Sequence, residues 1–303
     1  ILIGASLPCT AAAIASSVAS KAAPPAVRST VLGIVSAAGS LGALIAAPIG
    51  QSLAQTGGWR MGLAAFVVLS LFLIPAAWMA GRVDKLATPR SDADAFDDSS
   101  ARQAALGALG NAQFLVMTAA YFVCGMQLVF ITTHLPSYLA ICGMDPMLSA
   151  ESLGVIGGFN VLGSLFFGWA GGRWNKLALL GGIYLSRSLI IALYFYYPPT
   201  PFTTLVFAAG MGFVWLGVGP LVAGAVIEMF GLRWQAMIQG IAFMSHQIGS
   251  FLGALGGGVI YDSIGSYTLA LQLGVGLGLT GGAVQLAFAL ARPTAPTHRA
   301  ATA

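Results

Sequence analysis

Apolar positions along this chain come in long unbroken runs, and polar positions gather in the short gaps between them. Nine runs approach the ~20 residues that a membrane-crossing helix needs: 1–20, 30–54, 60–81, 111–133, 151–171, 177–197, 202–227, 236–260 and 268–291. None shows the two-residue alternation of a barrel strand, and an open sheet edge has no hydrogen-bond partner in hydrocarbon. An all-α, polytopic helical membrane protein is the expected fold class. The gaps carry turn chemistry: Ala22-Ala23-Pro24-Pro25, Thr56-Gly57-Gly58 and Tyr197-Pro198-Pro199-Thr200-Pro201. The long polar stretch from Arg82 to Arg102, with Asp84, Asp92, Asp94, Asp97 and Asp98, has too little apolar surface to pack. The expected organisation is a three-helix piece at 1–81, a linker at 82–108, a six-helix bundle at 109–292 and a tail at 293–303.

Composition removes the soluble alternative. Only 7% of the residues are charged, against about 25% in soluble domains. Cys9, Cys124 and Cys142 form no CxxC pair and no disulfide framework, and read as buried small hydrophobes. No metal site or cofactor is expected. The chain opens Ile1-Leu2-Ile3 without a charged n-region, so no signal peptide is read, and the start resembles the interior of a longer protein.

Charge placement tests the span map. Lys21 and Arg28 follow the first run, Arg82, Lys85, Arg90 and Arg102 the third, Arg173 and Lys176 the fifth, Arg233 the seventh, Arg292 and Arg299 the ninth. The opposite gaps hold only Arg60, and Arg187 sits inside a run. Basic residues resist translocation. The linker and C-terminus are therefore expected in the cytoplasm of a multi-pass cell-membrane protein, with residue 1 near the external face. The +4 net charge is thereby used up in topology and does not read as a nucleic-acid footprint.

Small residues four apart mark close helix contacts in lipid. Three rows qualify: Gly42/Ala46/Gly50, Gly249/Gly253/Gly257 and Gly274/Gly278/Gly282. Gly276 to Gly281 matches the dinucleotide pattern GxGxxG, but no strand precedes it, so the cofactor reading is discarded.

Several fragments resemble the major facilitator superfamily. Gly58-Trp59-Arg60 is similar to the opening of its sixth helix. Gly33 to Gly42, followed by Pro48, resembles the fifth helix of the monocarboxylate-porter and oxalate/formate-antiporter branch. Gly168 to Lys176 resembles the short motif between helices eight and nine, although Gly172 stands where an acid is usual. Ser245 to Gly253, with Gly257 to Asp262 and Gly265 to Tyr267, resembles the eleventh helix and its following loop. The resemblance implies a two-bundle transporter seen from its fourth to its twelfth helix. It also implies midplane binding between two halves. The branch's Asp and Arg on helix eight are replaced here by Asn160 and Ser164, so that binding chemistry does not carry over.

An ionisable group deep in a bilayer is expensive, at about 2.5–3.5 kcal/mol on insertion scales, and so usually has a task or a partner. Arg187 lies about 15 Å along its helix, near the midplane. It is expected either to fork onto a carboxylate or to bond backbone carbonyls between helices. His246 is the candidate proton carrier, since its ordinary pKa is about 6.5. Tyr121, Gln127, Asn160 and Gln247 complete the expected substrate-binding set. Thr132 and Thr133 share the span of Tyr121. His134, beside Pro136, is expected to be a gate or a loop anchor. Arg173, Glu228 and Arg233 are expected to act in gating or positioning, with Glu228 meeting Arg173, and Asp262 to cap a loop. The expected function is secondary active transport of a small organic anion, a monocarboxylate by preference, coupled to protons or to anion exchange, by a monomer in the lipid bilayer. The alternative is export of an apolar compound, using aromatics such as Phe130, Trp169 and Trp215. There is no HExxH, no GxSxG and no mid-span Asp pair, so no enzyme is expected.

Overall fold

The computed structural model describes residues 12–85 and 100–291. Residues 1–11 of the first run, Cys9, most of the acidic linker with Arg90, and the tail with Arg292 and Arg299 lie outside the described residues. Among the described residues there is no strand. The helices are α1 (Ala12–Ala22), α2 (Arg28–Leu71), α3 (Leu73–Ala80), α4 (Ala101–Leu109), α5 (Ala112–Ile141), α6 (Pro146–Ala170), α7 (Lys176–Tyr196), α8 (Pro201–Phe213), α9 (Val218–Phe230), α10 (Gln235–Ile264) and α11 (Thr268–Ala291).

Three places depart from the expected element map. The second and third runs share one helical stretch, α2, interrupted at Gly58, where φ is +76°. Only glycine takes that conformation cheaply, and the halves fold back so that a Cβ on Gly50 would lie 2.9 Å from the Phe66 ring. The end of the linker is helical: Ser100 accepts from the Gln103 backbone N–H and the Gln103 side chain answers the Ser100 N–H, a reciprocal cap that starts α4. Finally, the run 202–227 is two helices, because Val214 to Gly217 unwinds. Pro220 has no N–H to give and its ring crowds the carbonyl four residues back, that of Leu216.

Among the described residues, six helical stretches are long and apolar enough to cross a membrane by length and composition: Thr56–Val83, Ala112–Ile141, Met147–Ala170, Lys176–Tyr196, Pro201–Phe230 and Thr268–Ala291. Helix α10 is as long as any of them at 30 residues, but carries Gln235, Gln239, His246 and Gln247. Gln235 and Gln239 turn inward and are buried, while Gln247 is exposed.

Backbone contact between glycines and carbonyls holds the bundle. α10 lies along α5, where a Cβ on Gly249 would sit 2.0 Å from the Phe122 carbonyl oxygen and one on Gly253 2.2 Å from that of Met126. Gly125 reciprocates against the His246 carbonyl at 2.0 Å. α11 lies along α7 through Gly282 and along α5 through Gly278, which faces Gln127 and Ser188. Gly274 and Gly42, by contrast, face open space. The two pieces of the chain meet where α2 crosses α6. A Cβ on Gly33 would approach the Gly168 Cα to 2.7 Å. α9 packs on both α2 and α7. It thus stands between the pieces, with Leu221 and Val226 buried in the main core.

Candidate functional site

The unwound segment Val214–Gly217 leaves backbone groups without helical partners, and an unpaired polar group in hydrocarbon costs several kcal/mol. Side chains from three helices meet them. Arg187 on α7 donates from Nη2 to the Val214 carbonyl at 2.8 Å. Asn160 on α6 accepts from the Leu216 N–H at 3.1 Å. Ser36 on α2 donates to the Leu216 carbonyl at 3.3 Å and lies 3.1 Å from the Ser164 hydroxyl. The break is therefore a junction of α2, α6 and α7, held by side chains and not by helix geometry.

Arg187 is 0% exposed. Its Nη1 lies 2.9 Å from Cys124 Sγ on α5, its guanidinium stands 5.7 Å from the centre of the Tyr184 ring, and its Nε has no hydrogen-bond partner. Tyr184 Oη, also buried, has none either. His246 reaches the same thiol from α10. The His246 ring lies 4.6 Å from that of Tyr121 and stacks on Phe243 at 5.5 Å, while its Nδ1 is 3.2 Å from Gln247 Oε1. Arg187, His246, Tyr121 and Gln247 thus fall in one cluster, and Cys124 joins them. The two residues of the cluster that open outward are Gln247, which is exposed, and His246, which is half-buried.

The other expected residues separate from it. Gln127 donates from Nε2 both to Ser188 Oγ at 2.9 Å and to the Gly274 carbonyl at 2.9 Å, tying α5 to α7 and α11. Asn160 spends its carbonyl on the break. His134 bonds the Ala254 carbonyl at 3.0 Å and packs between Phe130 and Tyr267. That contact ties α5 to α10 and to the Gly265–Tyr267 link, as a loop anchor would.

At the end of the bundle where α7 starts and α9 ends, Glu228 pairs with Lys176. The expected partner was Arg173, whose guanidinium instead covers the Trp169 ring at 4.2 Å. Lys176 opens α7 one turn from the α9 terminus, so its long stem reaches Glu228 first and also covers Gly224. Arg233 lies over Trp234 at 5.4 Å. Among the described residues no group of three or more His, Cys, Asp or Glu could hold a metal.

A cavity of about 90 Å³ between α5, α10 and α11 is lined by Met126, Gln127, Phe130 and Gly253. A second, of about 590 Å³, lies beyond it and is lined by Tyr138, Tyr196, Tyr261, Tyr267 and Gln272. Neither includes Arg187 or His246 in its wall. The signal for Cys124 that sequence reasoning missed was its spacing: it stands one helical turn from Tyr121 on the same face.

Comparison with known proteins agrees with this architecture. The sequence profile of the Major Facilitator Superfamily matches residues 1–254. The structure is similar to that of the proton:xylose symporter XylE bound to 6-bromo-6-deoxy-D-glucose, with a TM-score of 0.63 at 12% sequence identity. That match covers 91% of this chain and 66% of the XylE chain, so this chain spans just under two thirds of the length of its structural neighbour. No curated protein sequence matches it. With the profile spanning most of its length and the helices arranged as described, the chain belongs to the Major Facilitator Superfamily.

Proposed function

We propose that this chain is part of a secondary active transporter that carries a small organic anion, a monocarboxylate by preference, by alternating access and with coupling to protons or to anion exchange. The observation that carries the reading is the buried Arg187, a guanidinium held at the helix break with no acid on any contacting helix near it. α5, α7 and α8 contain no Asp or Glu, α10 has none before Asp262, and Glu228 at the far end of α9 is already paired. An uncompensated charge in the bilayer is costly to keep, and a bound anion is the partner that would repay it. His246 and Gln247 form the opening of the cluster, Tyr121 its wall, and Arg187 supplies the attraction from behind. Asn160 and Gln127 support this site indirectly, by holding the break and the α7–α11 contact.

Orientation follows from the basic residues: the end bearing Arg173, Lys176, Glu228 and Arg233 faces the cytoplasm. There the Gly33–Gly168 contact joins the two pieces and the Lys176–Glu228 pair ties α7 to α9 within the second, and we assign both to the gate on that side. Phe130 lines a cavity, but Trp169 lies under Arg173, which weakens the aromatic argument for export of an apolar compound. The test is uptake of radiolabelled lactate by proteoliposomes holding the full-length protein. Arg187→Gln and His246→Ala are each expected to lower uptake at least tenfold. Uptake unchanged in both would remove the site assignment.

A further inference from the structure

The larger cavity stands apart from the Arg187 cluster, and its walls are aromatic. It is lined by Tyr138 near the end of α5, Phe195 and Tyr196 at the end of α7, Tyr261 near the end of α10 and Tyr267 in the link to α11. The rings form two walls. In one, Tyr138 and Phe195 meet edge to face at 4.7 Å. In the other, Tyr261 and Tyr267 stack at 4.5 Å, and Tyr267 rests on His134 at 5.1 Å. Tyrosines near a membrane surface commonly form an interfacial belt. Belt rings lie against lipid, whereas Tyr267 is buried here and Tyr138, Phe195 and Tyr261 are half-buried around a volume of about 590 Å³. That volume falls within the range of small-molecule sites, about 300–1,000 Å³. The smaller cavity adjoins it through shared walls at Ile191, Leu271 and Val275, and is otherwise closed by groups such as Phe130 and Leu252.

The charges around this end of the bundle have one sign. Between Leu135 and Gly172, and between Gln247 and Ala291, the chain has no Lys, Arg or His, and it carries Asp145, Glu151 and Asp262. Asp262 directly follows the wall residue Tyr261. His134, behind Tyr267, donates to the Ala254 carbonyl. On α7 the nearest basic residue is Arg187, about 12 Å further down the helix than Phe195. An anion entering this cavity would meet three carboxylates and the negative faces of the rings. A cation is favoured by both. An alkylated ammonium asks for few or no hydrogen-bond acceptors, so aromatic faces can replace its water.

We propose that this cavity is a second ligand site and takes an organic cation, an alkylated ammonium group held among Tyr138, Phe195, Tyr261 and Tyr267 with its apolar substituent in the adjoining smaller cavity. The site does not depend on the anion-transport reading. The ammonium comes either from a free solute or from the choline head of a membrane lipid, and the chemistry of recognition is the same.

The test is binding of radiolabelled hexyltrimethylammonium to the full-length protein in phosphatidylglycerol nanodiscs, with empty discs subtracted. Saturable binding is expected. Choline should displace the probe, and its uncharged carbon isostere 3,3-dimethylbutanol should do so roughly tenfold more weakly. Tyr138→Leu and Tyr267→Leu should each weaken binding about fivefold, while Tyr267→Phe, which keeps the ring, should bind like the parent. Absence of saturable binding, equal displacement by the uncharged isostere, or unchanged binding in both leucine variants overturns the proposal. Melting curves identify a leucine variant that does not fold, and the isostere comparison on the parent protein then decides alone. Discs containing phosphatidylcholine separate the two sources. A lipid head at the site blocks the probe and leaves phosphatidylcholine on the purified protein, whereas a free-solute site binds the probe equally in both discs. Because the assay contains no lactate, its failure and the failure of anion transport are read independently.

Discussion

Asn160 shows how one side chain can support a fold at a single backbone group. Its Oδ1 satisfies the Leu216 N–H in the unwound link, and a buried donor deprived of its acceptor costs about 1–3 kcal/mol. Asn160→Ala is therefore expected to lower thermal stability in detergent by that order, read from the melting of tryptophan fluorescence. Equal melting of Asn160→Ala and the parent would show that the link finds another acceptor. The same distinction separates Arg187 from Gln127. Both are buried and polar on sequence grounds alone, yet only Arg187 is left with a charge that neutral partners cannot cancel. Gln127 donates to Ser188 and to the Gly274 carbonyl, interhelical bonds worth about 0.6 kcal/mol each on average in membranes.

Among the helices, glycine rows that look alike in sequence divide sharply. Gly249 and Gly253 bring α10 onto the α5 backbone, with no room for a Cβ. Gly274 has nothing within 4 Å of the same position. Gly253→Ala is expected to force the helices apart and to cost a few kcal/mol, by analogy with overpacked cores. Gly274→Ala should be neutral or slightly stabilising, since it only trades helix propensity. Paired melting curves decide the matter, and equal curves would refute the packing assignment. The runs themselves were legible because length and hydropathy leave a lipid-facing segment no other choice. The break at Val214–Gly217 was not, because the glycines and Pro220 also occur in membrane helices that stay continuous. Pro220 disfavours the regular turn here, and Arg187, Asn160 and Ser36, at the right height on three other helices, satisfy the backbone it frees.

The whole molecule is held across its two pieces by α2, α6 and α9. Gly33→Leu would drive a side chain into the Gly168 backbone, 2.7 Å from where its Cβ begins. Loss of lactate uptake with retained melting temperature in the α5–α11 bundle is the expected result, because this contact joins the pieces without being part of the main core. Membrane orientation is tested by thiol labelling of cysteines introduced at Arg90 and Arg233. Both should react only with reagent supplied from the cytoplasmic side, and opposite labelling would undo the orientation.

From its residues alone, this protein is committed to a stack of membrane helices, and its basic residues set an expected orientation. Burial of the peptide bond in hydrocarbon and the resistance of Lys and Arg to translocation are local, one-dimensional constraints. Fragments such as Gly58-Trp59-Arg60 and Ser245 to Gly253 also carried the family. The three-dimensional arrangement decided the rest: that Lys176 and not Arg173 reaches Glu228, that Asn160 and Gln127 hydrogen-bond to neighbouring helices, and that Cys124 faces Arg187. Those outcomes depend on how helices far apart in the chain are rotated and raised against one another. Side-chain geometry at a helix crossing is a property of two surfaces, and no single stretch of sequence contains both.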